Sequence, residues 1–209
     1  SIGNTPAEHV YWTRDDEALR LTADIADEGL FARKLRLHRT IALSLQSNEL
    51  SITDVVTNHG DAASPLEILY HMNLGYPLLD EDSVVSVSSD EVCPRNDHAA
   101  EDIANWMRMS KPQAGYEERC YYHSCKQEGV ASIYQPKLKQ GLAIQFDPQA
   151  LPCFTQWKMM GVRDYVLGLE PGNCYPDGRD VMRRQGRLDF LAPGDSRTYT
   201  IRVVMLENE

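Results

Sequence analysis

The stretch Tyr165-Val166-Leu167-Gly168-Leu169-Glu170-Pro171-Gly172-Asn173 places one carboxylate between an apolar run and a turn-forming run. The apolar residues favour a buried strand, and the Pro-Gly-Asn sequence after them favours a turn. A strand that enters such a turn delivers its last side chain to the rim of a sheet, where a ligand can reach it. The stretch therefore predicts a strand ending at Glu170, with an accessible carboxylate.

An earlier stretch is built in the same way around an imidazole. In Tyr70-His71-Met72-Asn73-Leu74-Gly75-Tyr76-Pro77, His71 follows the apolar run that begins at Leu66 and precedes a glycine and a proline. A carboxylate and an imidazole are the groups with which an enzyme moves protons on and off a small molecule near neutral pH. The two stretches together indicate an acid and base pair.

Outside these stretches the chain repeats one pattern, short strands between turns. Leu19, Leu21, Ala23 and Ile25 alternate with polar residues, which is the period of a half-buried strand. Further strands are predicted at Leu35–Leu45, Leu50–Val56, Leu66–Leu74, Glu118–Ser124, Val130–Tyr134, Gly141–Phe146, Phe154–Met159, Tyr165–Glu170, Arg187–Leu191 and Thr198–Met205. Helix is predicted only at Ala99–Met109 and Val181–Arg184. The pattern predicts one all-β domain over residues 1–209, an antiparallel sandwich or barrel.

Both motifs resemble those of the aldose 1-epimerase (galactose mutarotase-like) superfamily. The stretch around His71 is similar to its histidine motif, and Val166–Pro171 with Asn173 is similar to its catalytic-glutamate motif. The nearest resemblance is to a branch known only as a domain of unknown function. Three further segments fit that branch, Ile2–Glu8, Asp54–Asn58 and Leu191–Asp195. The resemblance implies the large antiparallel two-sheet supersandwich of the galactose mutarotase type.

The resemblance also implies an activity, the interconversion of sugar anomers by ring opening. Glu170 would be the base that removes the proton of the anomeric hydroxyl, and His71 the acid that protonates the ring oxygen. The motif departs from the family pattern, because Met72 alone separates His71 from Asn73. We expect His71 and Glu170 to face one cleft and to bracket the sugar, without a direct hydrogen bond between them.

Five other residues are candidates for binding the sugar. Trp157 could stack on a sugar face, and Lys158 could donate to hydroxyl groups, although a core tryptophan and a solvated lysine fit the sequence equally well. Asn73 and Asn173 could bind hydroxyls, but capping of turns is the more frequent role of asparagine at such positions. Arg179, in the one basic cluster of the chain, could bind an anionic group on the sugar or lie in a solvated loop.

The composition and charge restrict the function classes. The net charge of −10 argues against nucleic acid and anionic membranes as partners, since both require a basic face. The sequence has no apolar run long enough to cross a membrane as a helix. An odd number of cysteines without regular spacing, five in total, argues against a disulfide framework and favours a reducing compartment, the cytoplasm. Cys120, His123 and Cys125 lack the second cluster that a zinc site requires, so no metal or other cofactor is predicted.

The start of the chain, Ser1-Ile2-Gly3-Asn4, resembles the interior of a domain, because in the family a His-Gly pair and further strands precede the matching segment. We therefore expect residues 1–209 to form the C-terminal two-thirds of a longer mutarotase-like domain. A second chain or segment would supply the remaining strands and the first histidine of the family.

Three functions remain open on the sequence. The first is a mutarotase-like enzyme acting on a small-molecule sugar. The second is a carbohydrate-binding β-sandwich without turnover. The third is a cupin-like metal sandwich, for which His71, His123 and Glu170 are too scattered to serve as a ligand set.

Overall fold

Fifteen strands and two short α-helices form the described part of the chain, residues 4–207 of a computed structural model. Residues Ser1–Gly3, which belong to the start that resembles the interior of a domain, lie outside the described residues. The strands form two large antiparallel sheets and one small ladder. The predicted all-β class and two-sheet architecture are therefore confirmed.

The larger sheet has eight strands. Their spatial order is β1 (Glu8–Arg14), β2 (Ala18–Glu28), β3 (Lys34–Ser44), β4 (Glu49–Asn58), β15 (Ser196–Glu207), β11 (Gln140–Phe146), β10 (Gly129–Gln135) and β7 (Val84–Val87). The four N-terminal strands follow one another as a meander, and the last strand of the chain then pairs with β4. The strand β15 therefore joins the N-terminal meander to strands β11, β10 and β7.

The smaller sheet has five strands and carries both motifs found in the sequence. Its order is β6 (Met72–Leu74), β13 (Tyr165–Gly172), β12 (Cys153–Met160), β9 (Arg119–Ser124) and β8 (Glu91–Pro94). A two-stranded ladder, formed by β5 (Ser64–Leu66) and β14 (Asp189–Leu191), lies outside both sheets. The remaining regular elements are α1 (Asp97–Ala100), a 3-10 turn at Ile103–Asn105, and α2 (Arg179–Arg184).

The hydrophobic core lies between the two sheets. The smaller sheet contributes Phe154, Met160, Leu167 and Leu169, and the larger sheet contributes residues of β3, β4, β7, β10, β11 and β15. Because side chains alternate along a strand, the even-numbered residues of β13 project away from this core. Glu170 is one of them.

A buried ion pair fixes the segment that leads to His71. Asp54 of β4 is fully buried and accepts two hydrogen bonds from Arg39, at 2.7 and 2.6 Å, and a third from Tyr70 at 2.8 Å. Paired and hydrogen-bonded charges of this kind offset the cost of burial. Tyr70 thereby attaches the chain just before His71 to the larger sheet.

The observed elements differ from the predicted ones at three places. The run Leu66–Leu74 is divided between β5 and β6, and His71 lies just before β6. β13 continues through Pro171 and Gly172, so Glu170 lies inside the strand and not at its end. The Ala99–Met109 region is helical only in short pieces, because Asn96 caps α1 and the chain turns again after four residues.

No helix within residues 4–207 has the length and apolarity to cross a membrane.

Candidate active site

The register of β6 against β13 makes His71 and Glu170 neighbours. Met72 pairs with Leu169 and Asn73 with Gly168, and the same register continued by one residue sets His71 opposite Glu170. Directly opposed side chains in an antiparallel pair have Cβ atoms about 5 Å apart. His71 Nε2 lies 3.1 Å from Glu170 Oε1. The expectation that the two groups stand apart was wrong, since the pairing of their strands brings them into direct contact.

Glu170 is a buried carboxylate with an open hydrogen-bonding site. Its side chain is 2% exposed, whereas that of His71 is 46% exposed. The contact with His71 is not a hydrogen bond, and within residues 4–207 Glu170 Oε1 has no hydrogen-bond partner. Burial raises the pKa of Glu170 to about 7, and the Glu118 carboxylate raises it further in the same direction. The group can therefore gain or lose a proton near neutral pH.

Gly168 provides the space in which the Glu170 carboxylate lies. The two residues are two positions apart on β13, so they project from the same face of the sheet. A Cβ atom at position 168 would collide with Glu170 Oε1 and lie 3.2 Å from the Cβ atom of Trp157. A glycine inside a strand often marks such a close approach. Gly168 is therefore a feature of the sequence that indicates the site, although it was not among the predicted site residues.

Trp157 and Glu118 form the side of the site opposite β6. Trp157 is paired with Gly168, and its ring meets His71 edge to face, with centroids 5.4 Å apart. The indole Nε1 donates a hydrogen bond of 2.6 Å to Glu118 Oε2. Glu118 thus holds the indole that packs against His71. No sequence motif indicated Glu118, which reaches the site through the pairing of β9 with β12.

Across the same face, a polar row continues away from Glu170. Thr155 pairs with Glu170 on one side and with Tyr122 on the other. Tyr122 donates a 2.6 Å hydrogen bond to Asp177, which also lies 3.3 Å from Arg95 Nε. Within the described residues, the buried Thr155 hydroxyl has no partner. The row extends the set of hydrogen-bonding groups beyond the acid and base pair.

Besides Trp157, two of the predicted binding residues lie near His71 or Glu170. Asn73 is exposed on β6 opposite Gly168, on the same face as Glu170. Arg179, at the start of α2, donates a 3.2 Å hydrogen bond to Glu67. Arg179 and His71 both border a cavity of about 500 Å³ between the larger sheet and the Leu66–His71 segment.

Lys158 does not share a face with Glu170, contrary to the expectation that both line one cleft. It follows Trp157 on β12, and neighbouring residues of a strand project to opposite sides of the sheet. Its ammonium group is buried and donates to the carbonyl oxygens of Asn105 and Arg108, at 3.2 and 2.8 Å. Burial lowers the pKa of Lys158 to about 8. Lys158 therefore fixes the region of the 3-10 turn, Ile103–Asn105, against the smaller sheet.

Asn173 is likewise turned away from the candidate site. Its side chain is buried, accepts a 2.7 Å hydrogen bond from the backbone N–H of Ile68, and donates to the carbonyl oxygen of Leu66 at 3.0 Å. These contacts connect the end of β13 to the segment that precedes His71. Asn173 therefore supports the position of His71 from behind the sheet and does not line the cleft.

Cys120 and His123 project from opposite faces of β9, because they are three positions apart on a strand. His123 is buried between Trp106 and Phe154, with ring centroids 4.8 and 5.5 Å away, and burial lowers its pKa to about 4. All five cysteines are free thiols. The geometry thus separates His123 from Cys120 and from Glu170, so neither a Cys–His site nor the cupin-like ligand set is formed.

The comparisons with known proteins identify the family of the chain. The family model described as Domain of unknown function (DUF4432) matches residues 1–205. No curated protein matches the chain in sequence. The structure is similar to a protein of Klebsiella pneumoniae subsp. pneumoniae MGH 78578 that is described as a proposed aldose 1-epimerase, with a TM-score of 0.92 and 27% identity. The match covers 99% of this chain and 56% of the Klebsiella chain, so this chain spans little more than half of that protein's length.

Other solved structures share the fold at lower identity. A galactose mutarotase-like protein from Clostridium acetobutylicum has a TM-score of 0.68 at 14% identity, over 95% of this chain and 66% of that one. Galactose 1-epimerase from Lactobacillus acidophilus NCFM has a TM-score of 0.66 at 14% identity, over 96% of this chain and 66% of that one. Identities this low establish the fold alone. The predicted galactose mutarotase-like fold and the predicted branch of unknown function are both confirmed.

Proposed function

The chain belongs to the family described as Domain of unknown function (DUF4432), and from this premise we propose that it interconverts the anomers of a free aldose by acid and base catalysis. The observation that carries the proposal is the contact between the buried Glu170 carboxylate and the half-exposed His71 imidazole. The description of the Klebsiella protein as a proposed aldose 1-epimerase agrees with it.

In the proposed reaction Glu170 removes the proton from the anomeric hydroxyl while His71 gives a proton to the ring oxygen. The bond between C1 and the ring oxygen breaks, and the open-chain aldehyde forms. Rotation about C1–C2 presents the other face of the carbonyl, and reversal of both proton transfers closes the ring. Each proton taken up in opening is returned in closing, so no cofactor is consumed.

The adjacency of the two groups suits this chemistry. The hydroxyl oxygen and the ring oxygen of an aldose are attached to the same carbon, so a base and an acid that belong to one site can serve both of them. A carboxylate with a pKa near 7 is also a stronger base than an ordinary glutamate, yet is partly ionised at neutral pH. Proton transfer by a positioned group typically contributes about 10²- to 10⁴-fold.

The proposed sugar lies against the outer face of the smaller sheet. Trp157 offers an aromatic surface, and Asn73 offers an amide to the hydroxyls. The nearest charged groups on this face besides His71 are the carboxylates Glu170 and Glu118, so a neutral aldose fits better than a phosphorylated one.

The five free thiols support a reducing compartment, and we propose that the protein acts in the cytoplasm.

The test is mutarotation measured by polarimetry over a panel of aldoses with the wild-type chain and Glu170→Gln. We expect one aldose to be accelerated, and the variant to lose about two or more orders of magnitude while sugar binding is kept. Glu117→Gln, a change at an exposed carboxylate, is the matched control and should leave the rate unchanged. If an aldose binds but the mutarotation of no aldose is accelerated, the protein is a carbohydrate-binding protein and not an enzyme.

A further inference from the structure

Glu170 lies between two neighbouring strands, and each of them sets one side chain opposite it. On the β6 side this residue is His71, whose Nε2 atom lies 3.1 Å from Glu170 Oε1. On the β12 side it is Thr155, which pairs with Glu170 in the register of β12 against β13. Directly opposed side chains on one face of an antiparallel pair have Cβ atoms about 5 Å apart. Thr155 is therefore a direct neighbour of Glu170, as His71 is on the other side.

Thr155 and Glu170 share a rare feature, a buried oxygen atom without a hydrogen bond. The two residues are 1% and 2% exposed. Within residues 4–207, neither Thr155 Oγ1 nor Glu170 Oε1 has a partner. Buried polar groups in folded proteins are nearly always hydrogen-bonded, so two unpaired oxygens on directly opposed residues require an explanation. The two atoms are complementary, since a hydroxyl can donate a hydrogen bond and an ionised carboxylate can only accept one.

The hydroxyl of Tyr122, the next residue in this row, is already used. Tyr122 pairs with Thr155 on β9 and donates a 2.6 Å hydrogen bond to Asp177 Oδ1, which also lies 3.3 Å from Arg95 Nε. Because the proton of Tyr122 is engaged there, the Thr155 hydroxyl is the group in this row, within the described residues, that can still donate to Glu170 from the β12 side.

Three titratable groups face Glu170 from the surrounding elements. His71 lies just before β6, and Glu118 lies just before β9 and raises the pKa of Glu170 by its charge. Cys120 lies on β9, and burial raises the pKa of its thiol, so that the thiol is neutral near pH 7. All three groups stay in place when Thr155 alone is changed. A substitution at Thr155 therefore isolates the contribution of its hydroxyl.

We propose that Thr155 is a positioning residue, whose hydroxyl donates a hydrogen bond to the ionised Glu170 carboxylate and holds it between β6 and β12. Rotation of the glutamate side chain is sufficient to bring a carboxylate oxygen to the hydroxyl, because opposed side chains lie within reach of each other. The bond strengthens as Glu170 loses its proton, since an ionised carboxylate is the stronger acceptor. Its role in catalysis rests on the proposed function, in which Glu170 is the base.

The hydroxyl should favour the charged form of Glu170 and so oppose the effect of burial. A hydrogen bond to the charged form of a carboxyl group lowers its pKa. Removal of the hydroxyl should therefore raise the pKa of Glu170 above its wild-type value. Since a hydrogen bond to a charged group is stronger than one between neutral groups, we expect a rise of about one pH unit.

The experiment follows the carboxyl carbon of Glu170 by ¹³C NMR as the pH is changed, with the signal assigned from its loss in Glu170→Gln. We expect Thr155→Val, which keeps the branched shape and loses the hydroxyl, to raise the midpoint by about one pH unit. Thr155→Ala removes the hydroxyl with a different change of shape and should shift the midpoint in the same direction. Thr155→Ser keeps the hydroxyl and should titrate like the wild type.

Thr198→Val is the matched control, since Thr198 is an exposed threonine on β15 of the larger sheet, and it should also titrate like the wild type. In the mutarotation assay, the pH at which kcat/KM rises should move upward in Thr155→Val by the same amount as the NMR midpoint. Thr155→Ser should restore the wild-type profile.

Three results would overturn the proposal. One is an unmoved midpoint in Thr155→Val and Thr155→Ala when their spectra show the folded sandwich. Another is a shift of equal size in Thr155→Ser, which would assign the effect to packing. The third is an equal shift in Thr198→Val. The titration requires no turnover, so a shifted midpoint without mutarotation of any aldose would support the hydrogen bond and overturn the proposed function alone.

Discussion

Glu170 Oε1 lies 3.1 Å from His71 Nε2 because their strands, β13 and β6, pair in a register that sets the two residues opposite each other. One member of the pair is buried and the other is half exposed. The buried member has its pKa raised to about 7 by the loss of solvent. A proton can thus be exchanged near neutral pH at a buried carboxylate in contact with a half-exposed imidazole.

The two groups should act as one unit in catalysis. We expect His71→Asn and Glu170→Gln each to lower kcat/KM for mutarotation by about two orders of magnitude, since each removes one of two coupled proton transfers. The double variant should lose much less than the product of the two single losses. Mutarotation kinetics of the four proteins measure this. Fully multiplicative losses would mean that the two residues serve separate steps.

The pH dependence of the rate should follow the ionisation of Glu170 and respond to Glu118. For a base that must be ionised, kcat/KM rises with pH through about 7. In Glu118→Gln the negative charge is lost while the amide oxygen still accepts from Trp157, so the pKa of Glu170 falls and the rise moves to lower pH. A pH–rate profile checks this, with Glu117→Gln as control. An unmoved midpoint in Glu118→Gln would contradict the coupling.

The free energy of unfolding should also depend on pH through the ionisation of Glu170. Burial raises the pKa of Glu170 from 4.5 to about 7, so the folded state binds this proton more tightly than the unfolded chain. The resulting stabilisation is fully present below about pH 4.5 and is lost as the pH rises through about 7. Glu170→Gln lacks this dependence. Its free energy of unfolding relative to wild type should therefore rise by about 3 kcal/mol between pH 4 and pH 8.

Urea unfolding at both pH values measures this difference. Glu67→Gln, at a carboxylate paired with Arg179, is a suitable comparison because it leaves Glu170 in place. A constant difference between Glu170→Gln and wild type across the pH range would show that the Glu170 carboxylate is not destabilised by burial.

Gly168→Ala should damage the site without unfolding the protein. The added methyl group meets the end of the Glu170 side chain, which can move, so the strand is kept while the carboxylate is displaced from His71. We expect a loss in kcat/KM of at least about tenfold, because small misplacements of a catalytic group are costly. The far-UV circular dichroism should be unchanged.

Gly75→Ala is the control for this change. A Cβ atom there would lie 3.8 Å from the nearest atom, the carbonyl oxygen of Tyr165, which is an ordinary contact. Equal activity of Gly168→Ala and Gly75→Ala would show that the position of the carboxylate does not matter to the reaction.

Local patterns in the sequence were sufficient to predict the class of fold and the positions of most strands. The alternation at Leu19–Ile25 appears in the structure as β2, and the helix predicted at Val181–Arg184 lies within α2. Both signals are local, and the two-residue period of a strand depends on neighbouring residues only. The motifs around His71 and Glu170 likewise identified the family and the two residues that the structure brings into contact.

Which residues meet across strands was decided by the tertiary structure. Period two requires Trp157 and Lys158 to face opposite sides, but only the tertiary structure shows that Lys158 is buried against the carbonyl oxygens of Asn105 and Arg108 while Trp157 lies beside Glu170 and His71. The contact of Glu118 with Trp157 and that of His71 with Glu170 depend on strand register over long separations. Register is set by the sheet as a whole, because it requires every apolar residue of a strand to face the core at once, and no local stretch contains that information.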